Sequence, residues 1–461
     1  MKKKQVTLFY ALLPVIFLVV TLYYSVQVAK LDVHIPIFIS AIFAAFVAKV
    51  SGCATWNELE DGVVDTIKMS MRAILILMII GMVIGSWILS GVVPTMIYYG
   101  LKIIHPTIFL PVTVVICSIV SIATGSSWST ASTVGIALVG IGEGLGLPRP
   151  IIAGAIISGA YFGDKLSPMS DTTTLAPAMA GSNLFEHIKH MLYTTVPAYT
   201  ITLISFVILG LKKTSGGEVD TAQINEILDT LANAFNINPF LLIIPVFVIG
   251  MVIMKVPAIP GLFIGSLIGA ITAVFAQGAS LKEALYSLHY GYVGNTGMPM
   301  VDELLTRGGL NSMMWTVSLI LCAMTFGGIM EKSGMLGRIA QEILKFANTD
   351  GKLILATILT PIFVNNVAGD QYLSIVIPGR MFKESYEERG LAAKNLSRAL
   401  EDSGTMSSPL VPWNTCGAFM MSALGVGPWV YVPYCFFNLI SPILSVIYGF
   451  TGFTIEKIKK D

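Results

Sequence analysis

A run of polar and charged side chains interrupts a long apolar stretch at residues 163–178, where the sequence reads GDKLSPMSDTTTLAPA. It contains two carboxylates, Asp164 and Asp171, and one lysine, Lys165. Carboxylate, hydroxyl and carbonyl oxygens are the ligands that hard cations such as Na+ prefer, and a carboxylate in a low-dielectric site can take up a proton instead. Because charges inside a membrane are costly, we interpret this run as an ion or substrate pathway.

Pro168 lies between the two carboxylates. Proline removes a backbone donor and clashes with the preceding helical turn, so the sequence predicts a broken helix over about 149–181. Carbonyl groups freed at such a break can join the side-chain oxygens as ligands. Two alternatives stay open: the run could be a polar loop between two spans, and Lys165 could pair with a carboxylate or extend to water.

A second, weaker copy of this pattern lies at residues 401–418, EDSGTMSSPLVPWNTCGA. The aligned pairs are Gly163 with Gly404, Ser167 with Ser408, Pro168 with Pro409, and Thr174 with Thr415. Proline-interrupted segments in corresponding places of two halves indicate the binding site of a transporter. Asp402 is a further candidate carboxylate in this copy, and a capping or surface role for it is equally open.

Two further apolar segments, 107–143 and 353–382, carry polar interruptions. The first reads ATGSSWSTAST at 123–133 and the second FVNNVAGDQYLS at 363–374. Each segment is too long for one span, and irregular backbone at membrane depth is tolerated only where it is buried or lines a cavity. We therefore predict two re-entrant hairpins with polar tips. Asp370, in the second tip, is another candidate carboxylate.

The composition identifies the class of protein. The chain of 461 residues is 54% hydrophobic and only 12% charged, whereas soluble domains are roughly 25% charged. It is predicted to be an all-α polytopic membrane protein. The net charge of +1 and the absence of a basic stripe give no sign of nucleic-acid binding. The five cysteines stand singly, so we predict neither a disulfide framework nor a metal or other cofactor.

The apolar segments define the predicted organisation. They lie at about 7–29, 34–50, 70–99, 107–143, 149–181, 191–210, 239–254, 259–278, 312–332, 353–382, 398–425 and 428–450. The stretch 54–69 is predicted to be a separate interfacial helix. The sequence predicts two halves, 1–210 and 239–461, joined by a linker at 211–238.

The distribution of the 28 lysines and arginines predicts the orientation. With both hairpins re-entrant and the N-terminus cytoplasmic, ten crossings remain and most of these cations fall on the cytoplasmic side, as the positive-inside rule requires. The same arrangement opens the two hairpins on opposite faces. The halves are therefore predicted to be inverted-topology repeats, with both termini in the cytoplasm.

The chain resembles the NhaC family of bacterial sodium/proton antiporters over essentially its whole length. The resemblance is carried by AYFGDKLSPMSDTTTLAPAMAGSNLFEHIKHM at 160–191, by TGSSWSTASTVG at 124–135, and by the segments NNVAGDQY and LEDSGTMSSPLVPWNT. It implies discontinuous helices in inverted repeats and Na+/H+ exchange by alternating access across the bacterial inner membrane. The ion-site positions that it implies are Asp164, Ser167, Asp171, Thr172 and Thr173, with support from Ser126, Ser127, Asn365, Asp370, Asn414 and Thr415.

The resemblance leaves the substrate open. Some relatives are similar to exchangers of malate and lactate, and others resemble carriers of amino acids. No arginine lies in the polar runs 163–178 and 401–418 or in either tip, which favours small-ion exchange because arginine is the usual partner of a carboxylate. A channel is disfavoured by the discontinuous segments. An enzyme is disfavoured because no nucleophile, base or metal constellation is evident. The sequence leaves the oligomeric state in the lipid bilayer open between a monomer and a homodimer.

Overall fold

The computed structural model describes residues 6–214, 221–254 and 256–458, and these fold almost entirely into helices. Their β-structure is confined to two isolated bridges, Tyr292 with Arg307 and Leu391 with Lys457. The all-α class is confirmed. Residues 215–220 of the predicted linker lie outside the described residues, as do the N-terminal lysines and Lys255, which entered the orientation argument.

The first part of the chain forms ten helices within the described residues. In order they are α1 (Leu8–Tyr23), α2 (His34–Ser51), α3 (Trp56–Leu89), α4 (Val92–Ile103), α5 (Pro106–Thr124), α6 (Ser127–Thr130), α7 (Ile136–Gly144), α8 (Arg149–Leu166), α9 (Asp171–Ala180) and α10 (Leu184–Thr214). A π-helical turn, Ala131–Gly135, joins α6 to α7.

The remainder continues the numbering. The helices are α11 (Thr221–Ala234), α12 (Ile243–Ile253), α13 (Ala258–Gln277), α14 (Leu281–Tyr290), α15 (Pro299–Leu305), α16 (Met314–Lys332), α17 (Met335–Lys345), α18 (Asp350–Ala368), α19 (Gln371–Glu388), α20 (Ala393–Leu400), α21 (Thr415–Leu424), α22 (Pro428–Tyr431) and α23 (Phe436–Thr451). A π-helical turn, Glu401–Thr405, extends α20.

The helices are long and apolar enough for a multi-pass membrane protein. Among the described residues, eight could cross a membrane, or up to ten if two bent pairs each count as one span. One bent pair joins Ile224–Ala234 to Pro239–Met251 at 92°, and the other joins Thr415–Leu424 to Pro428–Tyr434 at 83°. The predicted number of crossings, ten, equals the upper end of this range, but the helices differ: α5 and α18, which begin the two predicted hairpins, are among the eight.

The helix α3 corrects the sequence prediction of an interfacial helix at 54–69 followed by a separate span at 70–99. The two are one helix of 34 residues. Thr55 and Glu58 form a capping box at its start, and its sequence contains no proline to interrupt it. The helix instead ends at Ser90, where Gly91, at a φ of 79°, starts α4. Polar residues of the first turns therefore continue directly into the membrane span.

Both predicted hairpin tips are glycine-centred breaks. Gly125, at a φ of 67°, ends α5, and Gly369, at a φ of 68°, ends α18. This left-handed backbone is readily adopted by glycine alone. At Gly125 an added Cβ would also lie 2.8 Å from the backbone carbonyl carbon of Met169. The residue after each glycine, Ser126 or Asp370, caps the next helix.

Both predicted helix breaks occur, but they differ in length. In the first, α8 ends at Leu166 and Ser170 caps α9, while in the second Asn414 caps α21 with closely similar backbone angles. Ser170 therefore corresponds to Asn414. The predicted pairing of Thr174 with Thr415 is wrong, because six positions separate Ser408 from Asn414 and three separate Ser167 from Ser170. The recurrence is local, and the inverted orientation of the halves stays a prediction.

The helices that carry the tips and breaks pack mainly on one another. α5 packs on α8 and α10, α9 packs on α19 and α20, and α18 packs on α19 and α23. By contrast, α3 packs on α13, α14 and α16, and α16 packs on α2. The functional-site candidates thus come from one set of helices, and α3 approaches them from another.

Candidate ion-binding site

A cavity of 720 Å³ lies where the two tips meet the first helix break. Seven predicted site residues line it: Ser126, Ser127, Asp164, Asp171, Thr172, Asp370 and Thr415. The other five, Ser167, Thr173, Asn365, Asp402 and Asn414, are absent from its lining and are fully buried. The sequence therefore identified both the surface of the cavity and part of the polar layer behind it.

Asp164 is the more buried of the two carboxylates in the first broken segment. It sits in the last turn of α8 with 7% of its surface exposed. The Ser127 hydroxyl donates a hydrogen bond of 2.7 Å to Asp164 Oδ2, which ties the first tip to the first break. The Thr173 hydroxyl donates to the backbone carbonyl oxygens of Asp164 and Lys165, at 2.9 and 3.0 Å. These hydrogen bonds hold the first tip and the start of α9 against the end of α8, beside the Asp164 carboxylate.

Ser167 stabilises the first helix break on the side away from the cavity. Its hydroxyl donates 2.9 Å to the carbonyl oxygen of Ile122 in α5 and accepts 3.3 Å from the amide of Met169. Both contacts satisfy backbone groups that a broken helix leaves without partners. Ser167 therefore shapes the site without reaching the cavity.

Asp171 is the first residue of α9, and its side chain is 56% exposed. The hydroxyl of Tyr372, from α19, donates 3.3 Å to Asp171 Oδ2. The same oxygen lies 3.5 Å from Nη1 of Arg72, which reaches the cavity from α3 and is 60% exposed. This carboxylate therefore faces the open part of the cavity.

Sequence reasoning missed Arg72. It was counted among the cytoplasmic cations because 54–69 and 70–99 were treated as separate elements. The argument against an organic anion relied on the lack of arginine in the two polar runs and the tips, and Arg72 supplies one from a third element. A continuous helical pattern across residues 56–89 was the signal available.

Asp370 acts as a helix cap. Its Oδ1 accepts hydrogen bonds from the amides of Tyr372 and Leu373, at 2.9 and 3.1 Å. Among the described residues no group of three His, Cys, Asp or Glu side chains could hold one metal ion. Asp164, Asp171 and Asp370, which were predicted to bind Na+ together, line one cavity here without forming a common coordination shell.

The second break is filled by amides. Asn365 Nδ2 donates to the carbonyl oxygen of Gly404 at 2.7 Å and to the Ser407 hydroxyl at 2.8 Å. Asn414 Nδ2 in turn donates 2.9 Å to Asn365 Oδ1. These groups satisfy one another, so Asn365 and Asn414 form a wall behind the cavity.

A buried ion pair joins the two broken segments. Lys165 pairs with Asp402, and both side chains are fully buried. The Thr194 hydroxyl also donates 3.1 Å to Asp402 Oδ1. Of the two roles left open for Lys165, the structure shows pairing with a carboxylate. A surface role for Asp402 is wrong, because α10 and α8 cover it.

Glu401 is a functional candidate that sequence reasoning overlooked. It is fully buried, and its Oε1 accepts a hydrogen bond of 3.0 Å from the Thr172 hydroxyl. Thr172 also lies 3.1 Å from the Ser170 hydroxyl, and both line the cavity. The available signal was its position directly before Asp402, in a segment already interpreted as intramembrane.

The charges of the cavity favour cations. Its described lining residues include three carboxylates, Asp164, Asp171 and Asp370, and one cation, Arg72. A cleft with excess negative charge and low-dielectric walls attracts and concentrates cations. The donor atoms that surround it are hydroxyl and carboxylate oxygens, which suit a hard monovalent or divalent cation.

Comparisons with known proteins agree with this chemistry. Residues 159–453 match the Na+/H+ antiporter family. The chain is 40% identical to the Na(+)/H(+) antiporter NhaC of Alkalihalophilus pseudofirmus over 99% of this chain and 98% of that protein. It is also 40% identical to the arginine/ornithine antiporter ArcD of Halobacterium salinarum, over 96% and 91%.

A further relative is named for a different pair of organic substrates. The malate-2H(+)/Na(+)-lactate antiporter of Bacillus subtilis is 39% identical, over 95% of this chain and 93% of that protein. Relatives with different substrates are thus almost equally similar to this chain. The resemblance to the NhaC family is confirmed. By its sequence, the protein belongs to the Na+/H+ antiporter family.

Proposed function

We propose that this protein exchanges Na+ for H+ across the bacterial inner membrane as a secondary transporter. The observation that carries the proposal is the pair of carboxylates on either side of the first helix break, Asp164 and Asp171, which line one negatively charged cavity. The family relationship supports it.

The proposed mechanism is competition between two cations. Na+ binds to carboxylate oxygen with help from hydroxyls such as those of Ser127 and Thr172. A proton on the same carboxylate removes the charge that holds Na+, so the two cations bind in turn. Alternating exposure of the site to the two faces then converts competition into exchange. Asp370 adds negative charge to the cavity.

The proposal includes an orientation. Both termini lie in the cytoplasm and the two halves have opposite topology. The positive-inside distribution supports this, and so does the recurrence of the same local backbone at Gly125 and Gly369 and at Ser170 and Asn414.

Neutralising either carboxylate tests the proposal. We expect Asp164→Asn and Asp171→Asn each to slow Na+-driven proton movement about 10- to 100-fold, the range for loss of a charged hydrogen-bonding group. The measurement is internal pH in proteoliposomes under an imposed Na+ gradient. Glu283→Gln, at a fully exposed helix cap outside the cavity, is the matched control. Wild-type exchange by a folded Asp171→Asn variant would reject the shared site.

A second candidate function is sodium-coupled exchange of a small organic solute. The volume of 720 Å³ lies within the range of about 300–1,000 Å³ typical of small-molecule sites, and Arg72 could bind a carboxylate. In the same liposomes, malate, lactate, arginine and ornithine are added singly. Proton movement under Na+ alone supports the first function, and movement only with an organic solute supports the second.

A further inference from the structure

The contact between Arg72 and Asp171 is the one described cation–carboxylate pair in the cavity lining. Nη1 of Arg72 lies 3.5 Å from Oδ2 of Asp171, and the two side chains are 60% and 56% exposed. It is a single, long contact, not the two-pronged arrangement of a strong arginine–carboxylate pair. Such exposed pairs are weak and can be displaced.

The pair bridges two helices whose main packing partners differ. Arg72 lies on α3, which packs mainly on α13, α14 and α16, whereas Asp171 begins α9, which packs on α19 and α20. Movement of α9 away from α3 stretches this contact. The pair is therefore placed to resist such movement while the Asp171 carboxylate is charged and holds no other cation.

We propose that Arg72 is a tethered counter-ion of Asp171 that occupies the carboxylate when Na+ is absent and is displaced when Na+ binds. This inference rests on the proposed Na+ transport. Arg72 acts through Asp171 and is a positioning residue. By holding α9 against α3, it slows reorientation of the empty carrier, which favours the departure of Na+ in exchange for another cation.

The tether predicts an uncoupled leak when its charge is removed. Wild-type protein and Arg72→Gln are placed in liposomes loaded with radioactive Na+, with the membrane potential clamped. Exchange is measured with external Na+, and net efflux without it. In Arg72→Gln we expect the ratio of net efflux to exchange to rise about two- to fivefold, the range for an exposed ion pair. The additional Na+ leaves without matching proton entry.

Two variants control the charge and its position. Arg72→Lys keeps the charge, so its ratio of net efflux to exchange should be closer to that of the wild type than the ratio of Arg72→Gln is. Lys68→Gln removes an exposed cation one helical turn earlier on α3, outside the cavity lining, and should leave the ratio unchanged. An unchanged ratio in Arg72→Gln, or an equal rise in Lys68→Gln, overturns the tether.

A binding measurement covers the case in which Arg72→Gln does not transport. Because a competitor is removed, Na+ should raise the unfolding temperature of detergent-purified Arg72→Gln at about two- to fivefold lower concentration than in wild type. Equal or weaker binding overturns the proposal. Failure of the wild type itself to bind or exchange Na+ would instead reject the proposed function.

Discussion

The two helix breaks share a backbone design and differ in chemistry. At the first, α9 starts with Asp171, which is half exposed to the cavity. At the second, Asn414 caps the start of α21, and its side-chain amide is buried against Asn365. The acids of the second segment, Glu401 and Asp402, lie before the break and bond to residues of the first segment.

This difference indicates a division of labour. The first break presents charge to the cavity, and the second supports the first from behind. Lys165 and Thr172 of the first segment find their buried partners in Asp402 and Glu401 of the second. Two locally similar breaks thus take different roles, one presenting charge to the cavity and the other supporting it.

The largest expected effect comes from breaking the contact between the segments. Lys165→Met leaves the Asp402 carboxylate buried without its partner, and removing one member of a buried ion pair costs about 3–5 kcal/mol. We expect a large fall in the unfolding temperature of the detergent-purified protein.

The double variant Lys165→Met/Asp402→Leu provides the control. Replacing a whole buried pair by apolar groups is often neutral, so most of the stability should return. If the double variant is as unstable as Lys165→Met, the ion pair is not what joins the two segments.

An intermediate effect should distinguish the two capping residues. Ser170→Ala removes a helix cap, which costs about 1 kcal/mol. Asn414→Ala removes a cap and also leaves Asn365 Oδ1 without the hydrogen bond from Asn414 Nδ2, which adds about 1–3 kcal/mol. Chemical denaturation of the two variants measures the difference. Equal losses of unfolding free energy in the two variants would show that the second break contributes no more to stability than the first.

The smallest effect concerns the second tip. Asp370→Asn keeps a capping residue of similar strength, so the free energy of unfolding should change by less than about 0.5 kcal/mol. Losing one negative charge from the cavity should raise the half-saturating Na+ concentration up to about fivefold, as for a screened charge interaction of about 1 kcal/mol. Asp370→Ala, which also loses the cap, should be less stable. An unchanged Na+ dependence in Asp370→Asn would limit Asp370 to capping.

The breaks and tips were predictable from sequence because each is a local event. Pro168 disfavours a continuous helix and lies in a polar run, and Gly125 and Gly369 stand within polar interruptions of apolar segments. The family resemblance added the individual ion-site positions, seven of which line the cavity. Proline and glycine signals act within a few residues of themselves, and a single sequence records them fully.

The features of the site that the sequence did not predict depend on contacts between residues far apart in the chain. Arg72 reaches Asp171 because α3 is continuous, and even the helical pattern across residues 56–89 does not show which distant carboxylate this arginine will meet. Likewise, Lys165 and Asp402 are 237 positions apart. No local pattern shows which buried cation will meet which buried acid, so the role of Lys165 was left open and Glu401 was passed over.

The buried pair of Lys165 and Asp402 also constrains biosynthesis. The ribosome makes Lys165 first, and 237 further residues must follow before its partner exists. Lys165 lies in the last turn of α8, so before Asp402 exists its ammonium group has no buried partner and is more stable near water. The final packing of α8 against the second segment can form only after Asp402 has been made. If the gene were split between α10 and α12, the fragments would become stable only when both were made in the same cell.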